Sequence, residues 1–175
     1  QLLLHISNSL QMSSFFIRHL MMKMDEKGLL SKDSILEFLK KSPVFDEKRY
    51  VFIEKGLDAF FANDYITAIH LLIPQIENAV RTIIEKTGGL TLKPSRNGGF
   101  HLKTFDELLR DEELNKALGE DFTNYFRILF TEQRGWNLRN DVCHGIANPG
   151  HFNYASADRV LHALLCLGFI KFEEK

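Results

Sequence analysis

Residues 64–86 read DYITAIHLLIPQIENAVRTIIEK, one of the two long helical patterns in the chain. Ile69, Leu72, Ile73, Ile76, Val80, Ile83 and Ile84 fall in steps of one, three and four, so they share one broad face of a helix. A face that broad belongs to a helix packed in the middle of a bundle. Asn63 or Asp64 can cap its start, and Gly88-Gly89 stops it.

The same reading extends in both directions. Residues 1–24 carry Leu3, Ile6, Leu10, Ser13, Ile17 and Leu20 or Met21 at helical spacing. Ser31 or Asp33 caps a short helix with Ile35, Leu36, Phe38 and Leu39, and Asp46 opens a third with Tyr50, Ile53, Leu57, Phe60 and Phe61 inward. Residues 90–103 break the pattern. Two short alternating runs flank Asn97-Gly98, which predicts a small β-hairpin or an ordered loop. Thr104 caps a short helix to Leu109, and 111–118 form another turn. Asp121 starts a helix interrupted at Gly135, continued from Trp136 to Cys143 and ended by Gly145. A last helix spans about 155–170, with Val160, Leu161, Leu164, Leu165 and Leu167. Helix after helix with one hairpin means an all-α bundle, a single domain with an N-terminal arm at 1–45 and the bundle at 46–175.

Composition supports a core of useful size, with 45% apolar residues and fifteen Phe against one Trp and four Tyr. The net charge of -1 excludes a broadly cationic surface, so any nucleic-acid contact is local and small. Cys143 and Cys166 make no disulfide framework, which points to reduced thiols and a cytoplasmic setting. The apolar runs Leu2-Leu3-Leu4 and Phe15-Phe16-Ile17 fall far short of the ~20 residues of a membrane span, so no membrane contact is expected. The chain starts at Gln1, and the expectation is the C-terminal part of a longer protein.

The chemistry concentrates at Arg139-Asn140-Asp141-Val142-Cys143-His144-Gly145. Arg139 and His144 are five apart, which on a straight helix is about 140° past one turn. Gly145 places His144 at the helix end, where the chain leaves helical geometry and the imidazole can turn toward Arg139. Asn140 shares a face with His144, and its amide is expected to hydrogen-bond the imidazole and set its tautomer. An imidazole that moves protons beside a guanidinium that grips a phosphate is what metal-free RNA cleavage requires. The 2′-OH makes RNA, not DNA, the substrate. The alternative is structural: Arg139 pairing with a bundle carboxylate, and His144 capping the last carbonyls. Asp141 and Gly145 support the segment.

A second stripe runs down the 64–86 helix, with His70, Pro74, Glu77 and Arg81 spaced four, three and four. Pro74 removes one backbone bond and should kink the helix. The stripe is either a solvated face or a supporting row, with Glu77 against Arg139 or His144 and Arg81 as a second cation. Other features carry less. Cys143-His144 is no nucleophile–base pair, since neighbours on a helix point about 100° apart, and Cys143 is read as a small buried residue. His101, His144, His151 and His162 lack metal-ligand spacing, so neither a metal nor a cofactor is expected. His5 and His19 have no partners in the pattern, the basic residues Lys93, Arg96 and Lys103 read as a solvated hairpin, and Trp136 reads as packing.

Arg139 and His144 with the polar Asn140 between them resemble the Arg, polar residue, His signature of the HEPN superfamily (higher eukaryotes and prokaryotes nucleotide-binding). Arg139-Asn140-x-x-x-His144-Gly145 is similar to the pattern of one branch, domain-of-unknown-function family 4209. Asp64-Tyr65, Ala68, His70, Pro74-Gln75, Glu77 and Arg81 also resemble that branch, so the likeness covers about residues 55–147. It implies a HEPN-like up-down bundle of four or five helices that usually dimerises. It also implies either a metal-independent endoribonuclease with Arg and His at a dimer cleft, or a module that only binds RNA or nucleotides. A plain helical scaffold is the third reading.

Overall fold

The computed structural model describes residues 2–96 and 98–172. Helix α1 spans Leu2–Glu26, α2 Lys32–Lys40, α3 Tyr50–Phe61 and α4 Tyr65–Lys86. A two-stranded hairpin follows, β1 Leu92–Pro94 and β2 Phe100–Leu102. Five more helices complete the described chain: α5 Phe105–Leu109, α6 Glu112–Leu118, α7 Glu120–Phe130, α8 Leu138–Cys143 and α9 Tyr154–Gly168.

Side-chain caps place many of the helix starts. Ser31 caps α2 in a reciprocal pair with Ser34, and Thr104 does the same for α5 with Glu107. Asp64 accepts from the Thr67 N–H at the start of α4, and Asn153 from Ser156 at the start of α9. Asp46 departs from its expected role. It caps a 3-10 turn at Glu47–Arg49, and α3 begins only at Tyr50. The stretch 111–118 is a helix rather than a turn, because Asp111 caps it through the Glu113 N–H.

Helix α4 is central, packed on α3 and on α9. Ile69, Leu72, Ile73, Ile76, Val80, Ile83 and Ile84 are all buried in one core with Leu57, Phe105, Phe126 and Leu164. Truncating any of these isoleucines to alanine would cost about 2–5 kcal/mol. Pro74 sits inside α4 without ending it.

The hairpin is antiparallel, with Leu92 opposite Leu102, Lys93 opposite His101 and Pro94 opposite Phe100. Of the dipeptide that signalled it, Asn97 lies outside the described residues. Lys93 pairs with Glu107 and Lys103 with Asp111, the latter at 2.8 Å, so two of its basic residues hold the hairpin to α5 and to the cap of α6.

The stretch from Asp121 to Cys143 is two helices, not one interrupted helix. After Phe130 the chain folds back, and the Trp136 N–H reaches the Ile128 carbonyl at 2.8 Å. Gly135 makes this possible: a Cβ there would lie 2.3 Å from that same carbonyl oxygen. Asn137, at φ +50, then starts α8 in a new direction.

The N-terminal arm is stitched to the bundle by charged groups of α9. Asp158 is fully buried and accepts from Arg18 of α1 at 3.1 Å. Arg159, also buried, donates to the Leu10 carbonyl and to Ser13 Oγ. Trp136 packs against the core and donates to the Ser7 carbonyl at 3.4 Å. The outer face of α1 leaves Met12, Phe15 and Phe16 exposed. Beneath α1, Tyr125 Oη and His162 Nδ1 lie 2.9 Å apart. Burial pushes the Tyr125 phenol up to about 12 and the His162 imidazole below its ordinary value. No helix among the described residues is long and apolar enough to cross a membrane.

Candidate functional site

The site is built where α8 meets the middle of α4. Arg139 lies in the first turn of α8, and its Nε donates to Glu77 Oε2 on α4 at 3.0 Å. Arg81, one turn along α4, donates to the other oxygen of the same carboxylate at 3.2 Å. One carboxylate thus faces two guanidiniums, all three side chains at 14–21% exposure. Partly withdrawn from water, the charges are best satisfied by one another. The solvated-face reading of Glu77 is therefore set aside, and its expected position against Arg139 is what the structure has.

Arg81 departs from its expected role. Its remaining donors go to the Thr91 carbonyl at 3.4 Å and the Lys103 carbonyl at 3.2 Å, the two roots of the hairpin. It ties the hairpin to α4 more than it serves as a free second cation. His70 also lies off the site: it is exposed, bonded to the Ile66 carbonyl and stacked on Phe152 at 5.2 Å.

Asn140 is likewise turned elsewhere than its spacing suggested. Its amide donates to Asn137 Oδ1 at 2.9 Å and to the Thr131 carbonyl at 3.3 Å, and its carbonyl accepts from Arg139 at 3.3 Å. The α7–α8 turn presents unsatisfied acceptors on that side, and Asn140 is the residue that meets them. It buttresses Arg139 instead of setting the His144 tautomer. Asp141 accepts from Asn137 Nδ2 at 2.7 Å, which extends the chain of bonded side chains along the start of α8.

His144 is the C-cap of α8, exposed, with no side-chain hydrogen bond among the described residues. Gly145 follows at φ +70. Its N–H reaches the Val142 carbonyl and the Ile146 N–H reaches Asp141, a Schellman end. The turn predicted at Gly145 is present, and it leaves His144 exposed at the end of α8, outside the residues that line the neighbouring groove. Arg139, Asn140, Glu77 and Arg81 are brought together; His144 is bonded to none of them.

Beside this cluster lies a groove of about 280 Å³, lined by Arg49, Ile73, Pro74, Glu77, Asn78, Arg81, Arg139 and Cys143. Cys143 is exposed there, not buried as expected, because α8 is too short to turn that face inward. Two residues of this region were not among the expected site residues. Arg49 donates through Nε to Oε1 of the buried Gln75 at 2.8 Å, and Gln75 is bonded back to its own helix at the Leu71 carbonyl. Gln75 lay in the quoted helix, but a lone buried amide in an apolar face was the only hint.

Compared with protein-family models, curated proteins and solved structures, the chain matches none.

Proposed function

We propose that this chain is a HEPN-like, RNA-directed domain in which Arg139 and His144 perform metal-independent endoribonuclease cleavage. The observation that supports this most is Arg139 itself. Its Nε is held by Glu77 and one terminal nitrogen by Asn140, while the other terminal nitrogen has no partner among the described residues, and the residue lines the groove. A guanidinium fixed in this way is prepared to receive a phosphate oxygen. His144, exposed at the end of the same short helix, supplies the proton transfer. The imidazole takes the proton of the 2′-OH, and the 2′ oxygen bonds to phosphorus. The bond from phosphorus to O5′ breaks, and the proton passes to O5′. The products are a 2′,3′-cyclic phosphate and a 5′-OH. Two copies facing each other across a two-fold axis would set two such sites in one cleft. The cytoplasm is the compartment in which this substrate and reduced thiols coexist.

A second reading, a module that binds RNA or nucleotides without cleaving them, is favoured by one observation: Asn140 is committed to Asn137 and Thr131, so the imidazole has no orienting partner among the described residues. The test is RNA cleavage in the presence of a chelator, wild type beside His144→Ala. Because His144 is exposed, the variant should fold normally and lose about 10²–10⁴-fold in rate. Equal cleavage by both proteins would refute the role of His144. Binding without cleavage by the wild type would select the second reading.

A further inference from the structure

Arg49 stands outside every pattern that pointed to the site, yet it lines the same groove as Arg139. Both arginines are held in the same way. Arg139 is anchored by Nε to Glu77, and Arg49 by Nε to Gln75, two residues apart on α4. Anchoring through Nε fixes the plane of a guanidinium and leaves terminal nitrogens for other acceptors; in Arg139 one of them is taken by Asn140. Neither terminal nitrogen of Arg49 has a hydrogen-bond partner among the described residues, and no ion pair among those residues involves it. The guanidinium also lies over the Phe52 ring at 5.7 Å, which restrains it further. Gln75, which holds it, is only 4% exposed and is braced by the Leu71 carbonyl. A surface arginine with merely structural work would be expected to pair with a carboxylate. This one is positioned by a neutral, buried amide and has no carboxylate partner among the described residues. Around the groove three guanidiniums face one carboxylate, on a chain of net charge -1.

We infer that Arg49 and Arg139 form a two-arginine clamp for phosphate, Arg49 taking the non-bridging oxygens of a phosphate carried by an RNA strand or a nucleotide. Each arginine offers terminal N–H groups to oxygen acceptors, the geometry in which guanidinium binds phosphate most strongly. Ile73, Pro74 and Cys143 give the groove an apolar wall against which a sugar or base can lie. The inference rests on the RNA-directed reading of this groove and names a residue that cleavage alone does not require.

The test uses a 2′-O-methyl RNA oligonucleotide, which cannot be cleaved, so that binding is read independently of catalysis. Arg49→Gln should weaken binding about tenfold and lower the slope of log affinity against log salt by ~0.7, the loss of one single-strand phosphate contact. Arg134→Gln, an exposed arginine away from the groove, should change neither. Arg49→Lys should keep part of the salt dependence while losing affinity, since a lysine cannot use the Gln75 anchor and two terminal N–H groups together. AMP and inorganic phosphate are titrated in parallel. Equal binding of AMP and oligonucleotide assigns the clamp to a nucleotide, and preference for the oligonucleotide assigns it to RNA. Should the substitutions unfold the protein, arginine Nε resonances of the wild type decide: two must move on titration with phosphate. If Arg49→Gln binds like Arg134→Gln, or only one Nε resonance moves, the clamp is wrong even where cleavage is observed. If the clamp holds and no cleavage is found, only the catalytic reading fails.

Discussion

Glu77→Gln removes the carboxylate that joins α4 to α8 while keeping the side-chain volume. The wild-type carboxylate accepts from Arg139 at 3.0 Å and Arg81 at 3.2 Å. A hydrogen bond to a charged group contributes ~1.5–3 kcal/mol when buried, and an exposed ion pair contributes ~0–1 kcal/mol. With the carboxylate 18% exposed, each contact falls between these limits, at about 1 kcal/mol. Glutamine keeps an acceptor but leaves two guanidiniums facing each other, so the expected loss is ~2 kcal/mol. For a chain of this size that lowers the melting temperature by ~4–8 °C. Urea denaturation should show a lower midpoint with an unchanged slope. Arg139→Gln alone should cost less, because Glu77 then keeps Arg81. A double-mutant cycle between Glu77→Gln and Arg139→Gln should give a coupling of ~1 kcal/mol, well above the ~0.3–0.5 kcal/mol scatter of independent sites. A Glu77→Gln protein as stable as wild type, or strictly additive single variants, would show that the carboxylate does not hold Arg139 in solution.

Gly145→Ala has space for its methyl, with no atom within 4 Å, so its cost is the left-handed backbone alone, ~1–2 kcal/mol. Gly145→Asn should recover part of that loss in thermal melting, because asparagine tolerates this conformation. His162 is partly buried, and that burial followed by the Arg159 charge holds its imidazole below the ordinary value of about 6.5. The unfolded chain therefore takes up the proton first as pH falls. The corresponding stability is present above about pH 6.5 and is lost as pH drops toward the lower folded value. His162→Gln should flatten this dependence, so urea midpoints at pH 7.5 and pH 5 should differ less than in wild type; an equal difference would exclude His162 as its source.

Much of the helical layout follows from local rules. The 3.6-residue spacing of isoleucines marks the buried face of α4 whatever packs on it, and α4 is central as its broad face requires. Ser31, Asp64 and Thr104 cap helices because their oxygens reach N–H groups two or three residues on. Gly145 ends α8 because it accepts a positive φ at little cost. Each of these signals lies within a few residues of its effect. The α7–α8 break was less legible. Gly135 reads in the sequence as a flaw in one helix, and only the Trp136 N–H bond back to the Ile128 carbonyl, which leaves no room for a Cβ at Gly135, shows a chain reversal.

The amino-acid order alone thus determines where helices run, which faces are apolar, and that an arginine, an asparagine and a histidine crowd one helix end. Only the tertiary structure decides their partners. Arg139 meets Glu77 across 62 positions, Arg49 meets Gln75 across 26, and Arg18 meets Asp158 across 140. Periodicity states that a face is buried but carries no information on which other face covers it. The choice of ion pair is made when the helices stack, by which charged groups lose their water together. That is why Asn140 turned to the α7–α8 turn rather than to His144, and why Arg49 entered the groove unannounced.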